Sequence, residues 1–186
     1  NDFMSQKFAI KSLEYFVRKQ SEVQILTKII NVLQTDIPKQ LVNNISDLLL
    51  IFEDLSSFVD QLFDIMFSSS KQKDKVINNI AFLFGKLVKK ENLQHKIILK
   101  FETEILKTNS KFILISLQAI GEIGSNIIIT SNKTLIDRIL NLVDNDDIKI
   151  SICAAQAIGF ISSMSYVSKM YENVISNLSK LSIWLY

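Results

Sequence analysis

Glycine and proline are scarce in this chain of 186 residues, which contains four Gly and one Pro. These shares lie far below the usual values of about 7% and about 5%, so the sequence does not favour a turn-rich sandwich, a barrel or a nucleotide-binding fold with a Gly-rich loop. Hydrophobic residues make up 48% of the chain and charged residues 22%. That apolar content excludes intrinsic disorder and suffices for roughly one domain, so the composition favours long helices.

Cysteine and histidine occur once each, as Cys153 and His95. A single Cys excludes an internal disulfide and a multi-Cys metal site, and it is typical of a reducing compartment, so we predict a cytoplasmic or nuclear location. Cys153 lies among Ile and Ala residues and is interpreted as a small buried hydrophobe. His95, beside Gln94 and Lys96, is interpreted as a solvated helix residue. We therefore predict no catalysis, no metal, no cofactor and no small-molecule substrate.

The uncharged stretch 150–168 has about the length of a membrane span. Its serines and Gln156 make it too polar to lie in lipid, so it predicts a buried helix of a folded domain. We expect no membrane span and no signal peptide.

Apolar residues recur with a period of about 3.6 along nearly the whole chain, which predicts stacked amphipathic helices joined by short polar connections. The predicted segments are 3–19, 22–33, 38–52, 55–67, 75–90, 93–107, 111–123, 134–143, 147–163 and 166–179, and Leu181 opens another. Pro38 suits a first helical turn because it lacks an N–H. Asp74, Ser110 and either Asp146 or Asp147 are predicted N-caps.

Three of the four glycines, Gly85, Gly121 and Gly159, fall inside predicted helices. Gly in a helix interior costs about 1 kcal/mol relative to Ala, so we expect these residues to let neighbouring helices approach closely. Subtraction of the residue numbers gives intervals of 36 and 38, and such a period with two helices per unit is typical of a helical solenoid. The interval leaves little room for the third helix of an armadillo unit. The sequence thus predicts an all-α, HEAT-like superhelix. Residues 1–186 are predicted to form about five helix pairs and to be one fragment of a longer array.

Two segments carry this small-residue helix pattern one period apart, ISLQAIGEIG at 115–124 and DIKISICAAQAIGFIS at 147–162. They resemble neighbouring repeats in the C-terminal half of the cullin-associated, neddylation-dissociated HEAT proteins. The resemblance extends through 166–186 with its SIWLY ending, whereas the first hundred residues resemble only generic helical repeats. Ile127 to Ile129 are more apolar than that family's pattern, and Cys153 stands where Ala is commoner. The resemblance implies a long superhelix that embraces a cullin–RING ligase, competes with neddylation and promotes adaptor exchange, but it transfers no single contact residue.

The second helices, aligned on their glycines, predict an exposed ridge. Helical geometry places the position three residues before each glycine and the position directly after it one turn apart on the same side. In a HEAT stack these helices form the concave surface, so Phe82 and Phe160 are candidate aromatic anchors for a protein partner. The alternative is that both rings pack between repeats. The candidate protein-interface residues are Phe82, Lys86, Lys89, Gln118, Glu122, Gln156 and Phe160.

Charge changes sign along the middle of the chain. Residues 40–70 contain five acidic side chains and no Lys or Arg, whereas residues 71–100 contain eight Lys against Asp74 and Glu91. This contrast suggests a surface that is recognised by a charged partner. The alternative is that these residues form solvated faces whose charges alternate in sign. The basic stretch lacks Arg and regular aromatic interleaving, so it does not favour nucleic acid.

These observations together predict a non-catalytic HEAT-repeat scaffold that binds other proteins. The partner implied by the resemblance is a cullin–RING ubiquitin ligase, whose assembly the scaffold would regulate. A HEAT scaffold of nuclear transport or of a vesicle coat is an alternative within the binding class. A regulatory repeat segment of a larger kinase-like enzyme is the alternative from another class.

Overall fold

The computed structural model describes residues 22–68, 73–127, 129 and 132–164. Within these ranges the chain forms eight α-helices and no strand, which confirms the all-α class. The predicted segments 3–19 and 166–179, and the helix opening at Leu181, lie outside the described residues. The helices are α1 (Glu22–Leu33), α2 (Lys39–Leu49), α3 (Ser56–Met66), α4 (Asp74–Leu87), α5 (Glu91–Ile105), α6 (Ser110–Gly124), α7 (Lys133–Val143) and α8 (Ile148–Met164).

Each of the eight remaining predicted segments coincides with one helix, within about three residues at either end. The largest differences lie at the C-terminal ends of α2 and α4. Helix α2 ends at Leu49, but Phe52 in the following turn is only 2% exposed. Its apolar side chain continues the period of the helix, so the predicted segment extends to residue 52. After α4, the amides of Lys89 and Lys90 donate to carbonyls three residues earlier, which tightens and ends the helix.

The helix N-caps in the structure agree only in part with those predicted from the sequence. Asn109, rather than Ser110, caps α6, because its side-chain oxygen accepts hydrogen bonds from the amides two and three residues later, at 3.0 and 3.4 Å. Asp147 caps α8 as predicted, with its Oδ1 accepting from the Lys149 amide at 2.9 Å. Pro38 directly precedes α2 in an extended conformation instead of lying in its first turn.

The chain divides into two compact units, Asn1–Leu83 and Phe84–Tyr186. In the first unit α1 packs on α3. Asn79 is 5% exposed, and its Nδ2 donates to the backbone carbonyl of Ile37 at 3.1 Å, which ties α4 to the turn before α2. A buried amide needs such a partner to offset its desolvation. The largest side chains of this unit that are almost fully buried are Leu33, Leu49, Phe52, Leu55, Phe58, Leu62, Met66, Ile80 and Leu83.

In the second unit α5 packs on α6, α7 packs on α8, and α6 lies against α8. Phe84 and Phe101 are both fully buried and meet edge to face, with ring centroids 5.3 Å apart and planes at 90°. The buried hydroxyl of Ser151 donates to the Val143 carbonyl at 2.6 Å and thereby ties the first turn of α8 to the end of α7.

Close helix approach occurs at three glycines of the second unit. A Cβ added at Gly85 would lie 2.8 Å from the backbone oxygen of Glu122, and one added at Gly121 would lie 3.7 Å from the Cα of Ala157. Gly124, which the glycine spacing did not include, is the most crowded, since its Cβ would lie 2.6 Å from Cγ1 of Ile161.

The expected role of glycine is wrong at Gly159. This residue is exposed, and a Cβ added there would meet no heavy atom of the described residues within 4 Å. The sequence period places a small residue at this position, but close approach also requires a neighbouring helix, and none of the other described helices lies within reach of Gly159.

Candidate functional site

A groove of about 350 Å³ lies between α6 and α8, entirely within the second unit. Each helix contributes residues spaced three or four apart, which therefore share one face. The described residues that line the groove are Leu117, Gln118, Gly121 and Glu122 from α6, and Cys153, Gln156, Ala157 and Phe160 from α8.

The floor of the groove is apolar and made of Leu117, Gly121 and Ala157. Leu117 is fully buried, Ala157 is 1% exposed, and Gly121 is also buried. Gly121 has no side chain and Ala157 has only a methyl group, so the helices approach closely and leave a channel above this contact. The small residues of the sequence thus determine both the packing and the open space.

The rim of the groove consists of Gln118, Glu122, Gln156 and Phe160. Both Gln side chains are exposed and Glu122 is half-buried. Phe160 is 53% exposed, and its Cδ2 lies 3.1 Å from the position that a Cβ of residue 121 would occupy. One part of this ring therefore covers Gly121 while the rest faces solvent.

The structure brings together four of the seven predicted interface residues, namely the four rim residues. Lys86 is half-buried in the last turn of α4, and Lys89 is exposed just after that helix. Neither lysine is among the lining residues. That any of these residues contacts a partner stays a prediction.

Phe82 belongs to the first unit and is half-buried rather than exposed. The Nζ atom of Lys39 lies over its ring, 4.4 Å from the centroid, in a cation–π geometry. This ring therefore already has a cation on one face, unlike the simple exposed anchor that the ridge predicted.

The acidic side chains of residues 40–70, which belong to the first unit, are mostly exposed to solvent. Asp47, Glu53, Asp54 and Asp64 are exposed, and Asp60 is half-buried. Both interpretations of the charge contrast, a surface read by a charged partner and simple solvation, therefore stay open.

Cys153 is half-buried and lines the groove, so its interpretation as a buried hydrophobe is wrong. The neighbouring Ala154 and Ala155 are buried, whereas Cys153 is half-buried and lines the groove. Sequence reasoning missed it, although it lies three residues before Gln156 and hence on the same helix face. Burial raises the pKa of the Cys153 thiol, and the negative charge of Asp147 raises it further.

We expect the thiol of Cys153 to be alkylated more slowly at neutral pH than a free cysteine, because only the thiolate reacts and its formation is disfavoured. Asp147→Asn removes the charge but keeps an oxygen that can cap α8. The pKa of the Cys153 thiol should therefore fall, and the alkylation rate should begin to increase at a lower pH than in the wild type. Alkylation rates measured across a pH series check this. Asp144→Asn is the control and should leave the pH profile of alkylation unchanged. Identical profiles for the wild type and Asp147→Asn would contradict the effect of Asp147 on the pKa of Cys153.

The described residues contain no group of three or more His, Cys, Asp or Glu side chains arranged to hold a metal ion. His95 is exposed on α5, as the sequence predicted. No helix in the part of the chain that the structure describes is long and apolar enough to cross a membrane.

No family model matches the sequence, and neither the curated proteins nor the solved structures contain a match to it.

Proposed function

We propose that this chain is a non-catalytic HEAT-type scaffold that binds other proteins. Its helix pairing supports the proposal: α5 pairs with α6, α7 pairs with α8, and the second helices of these two pairs lie side by side. In the first unit, α1 also packs on α3, the second helix after it along the chain. A repeat stack joins equivalent helices of adjacent units in this manner.

The spacing of the glycine contacts also supports a repeating stack. Gly85 faces Glu122, and Gly124 faces Ile161. Subtraction of the residue numbers gives 37 in both cases, which lies within the interval of 36 to 38 between the glycines themselves. In both contacts the two residues that meet are therefore the same number of residues apart in the sequence, as expected when one packing arrangement is repeated.

The main support for the proposed binding function is the groove between α6 and α8. It presents an aromatic ring beside an apolar floor and is bordered by polar side chains. Aromatic residues with a polar surround dominate the energetics of protein interfaces. Phe160 is accordingly the proposed anchor, and Gln118, Glu122 and Gln156 are the proposed polar contacts.

As the specific partner we propose a cullin–RING ubiquitin ligase. This step depends on the resemblance of segments 115–124 and 147–162 to the cullin-associated HEAT proteins. Every described residue that lines the groove lies in one of these two segments. The proposal therefore assigns partner binding to the part of the chain that carries the resemblance.

Site-specific photo-crosslinking tests this function. A benzophenone amino acid placed at Gln118 or Gln156 should crosslink to a purified cullin–RING complex, because both side chains are exposed on the rim. The same group at His95, which is exposed on α5, is the matched control and should give no product. The crosslinks should be lost when Phe160→Ala is added.

Absence of any crosslink from the two rim positions, or equal crosslinking from His95, would contradict the proposal that the groove binds this partner. Crosslinks in a cell extract to a protein other than a cullin, if they are lost with Phe160→Ala, would retain the scaffold function and overturn the cullin assignment.

A further inference from the structure

We propose that the groove between α6 and α8 binds an extended segment of the partner protein through a basic side chain, Arg or Lys, which lies on the Phe160 ring with its charge at Glu122. This inference rests on the proposed binding function and specifies the chemistry that the groove recognises.

The charge of the groove supports a basic occupant. Glu122 is the one charged side chain among the described residues that line it. Asp147 adds a second negative charge close enough to act on the Cys153 thiol. Lys149, one turn before Cys153 on α8, is exposed and is not a lining residue. Asp147 and Lys149 carry opposite charges and both lie outside the lining, so the charge of the lining itself is the single carboxylate of Glu122, which a cation complements.

The position of the aromatic ring supports a long cationic side chain rather than a small cation. Phe160 packs over Gly121, which directly precedes Glu122, and the exposed ring and the Glu122 side chain both line the groove. Arg and Lys have an apolar stem that packs on such a ring and a cationic end that reaches the carboxylate. Arg matches this site best because its planar guanidinium both stacks and forms paired hydrogen bonds.

The size of the groove and its amides favour an extended segment. A volume of about 350 Å³ lies at the low end of the range for ligand pockets and fits one or two side chains rather than a helix. Gln118 and Gln156 are exposed on opposite helices. Each carboxamide offers a donor and an acceptor, which suits the alternating donors and acceptors of an extended backbone.

Cys153 provides a native reporter of occupancy, since it is the single cysteine of the chain and lines the groove. The probes are synthetic heptapeptide mixtures in which the central residue is fixed as Arg, Lys, Leu or Glu and the other positions are randomised. Each mixture is titrated into the full chain, and the rate of maleimide addition to Cys153 is measured. The Arg and Lys mixtures should halve this rate at concentrations about five- to tenfold lower than the Glu mixture.

Glu122→Gln should abolish the preference for Arg over Leu while leaving the fold unchanged, because the side chain is half-buried and keeps its shape. Glu91→Gln, on an exposed residue at the start of α5, is the matched control and should retain the preference. Circular dichroism and the unfolding midpoint of each variant confirm that folded proteins are compared.

Each other outcome overturns the inference in a recognisable way. Protection by the Leu mixture at the same concentrations as the Arg mixture would retain a peptide-binding groove and reject basic recognition. Protection by no mixture would reject the groove as a site for extended segments, while the crosslinking experiment would still test the scaffold function. A thiol that reacts only as fast as the chain unfolds, before any peptide is added, would show that the groove is already covered.

Discussion

Phe101→Ala is expected to lower the free energy of unfolding by about 3–5 kcal/mol, the range for removing a large aromatic side chain from a packed core. Phe101 is fully buried on α5 and packs edge to face against Phe84 at 5.3 Å. The substitution removes this aromatic contact and leaves a cavity that the surrounding helices fill only in part. Urea denaturation followed by circular dichroism measures the loss.

Phe160→Ala is the matched control for Phe101→Ala, because the same atoms are removed from a ring that is 53% exposed. About half of this side chain is already in water, so we expect a loss of about 1 kcal/mol. Equal losses at the two positions would contradict the burial assigned to Phe101.

Gly124→Ala is expected to lower the free energy of unfolding by about 1–3 kcal/mol, as overpacked core positions do. The added Cβ would lie 2.6 Å from Cγ1 of Ile161 and 3.1 Å from its Cα, so α6 and α8 would have to separate. This separation outweighs the gain of about 1 kcal/mol that Ala brings to a helix interior. The urea denaturation midpoint of the purified variant measures the effect.

Gly159→Ala is the control for Gly124→Ala, because it is the same substitution inside α8 with no described heavy atom within 4 Å. Here only the helix propensity changes, so the protein should become more stable by about 0.5–1 kcal/mol. The two variants should therefore shift the midpoint in opposite directions. Stabilisation by both substitutions would show that α6 and α8 do not approach closely at Gly124.

Helix positions could be predicted from the sequence because the apolar period of each segment directly reflects one buried face. The period is less informative at helix ends, since a buried residue can lie in a turn, as Phe52 does after α2. The cap of α6 illustrates a second limit. Asn109 and Ser110 are adjacent residues of similar capping preference, and only the backbone geometry decides which one accepts the hydrogen bonds.

The rim of the groove could be anticipated because aligned second helices place equivalent residues on the same side. The floor could not, since it depends on which faces of α6 and α8 meet. Gly159 and Cys153 show this limit most clearly. The sequence places both within an apolar, small-residue helix, yet Gly159 is exposed and Cys153 lines an open groove.

Disulfide trapping between α6 and α8 tests the central claim, that these two helices lie side by side and form the groove. A Cβ at residue 121 would lie 3.7 Å from the Cα of Ala157, a separation compatible with disulfide geometry. In a Cys153→Ser background, Gly121→Cys with Ala157→Cys should therefore form an intramolecular disulfide under mild oxidation. Gly121→Cys with Gly159→Cys should remain reduced, because residue 159 faces away from α6. A reduced 121/157 pair, or equally rapid oxidation of the 121/159 pair, would contradict the side-by-side arrangement and the groove that depends on it.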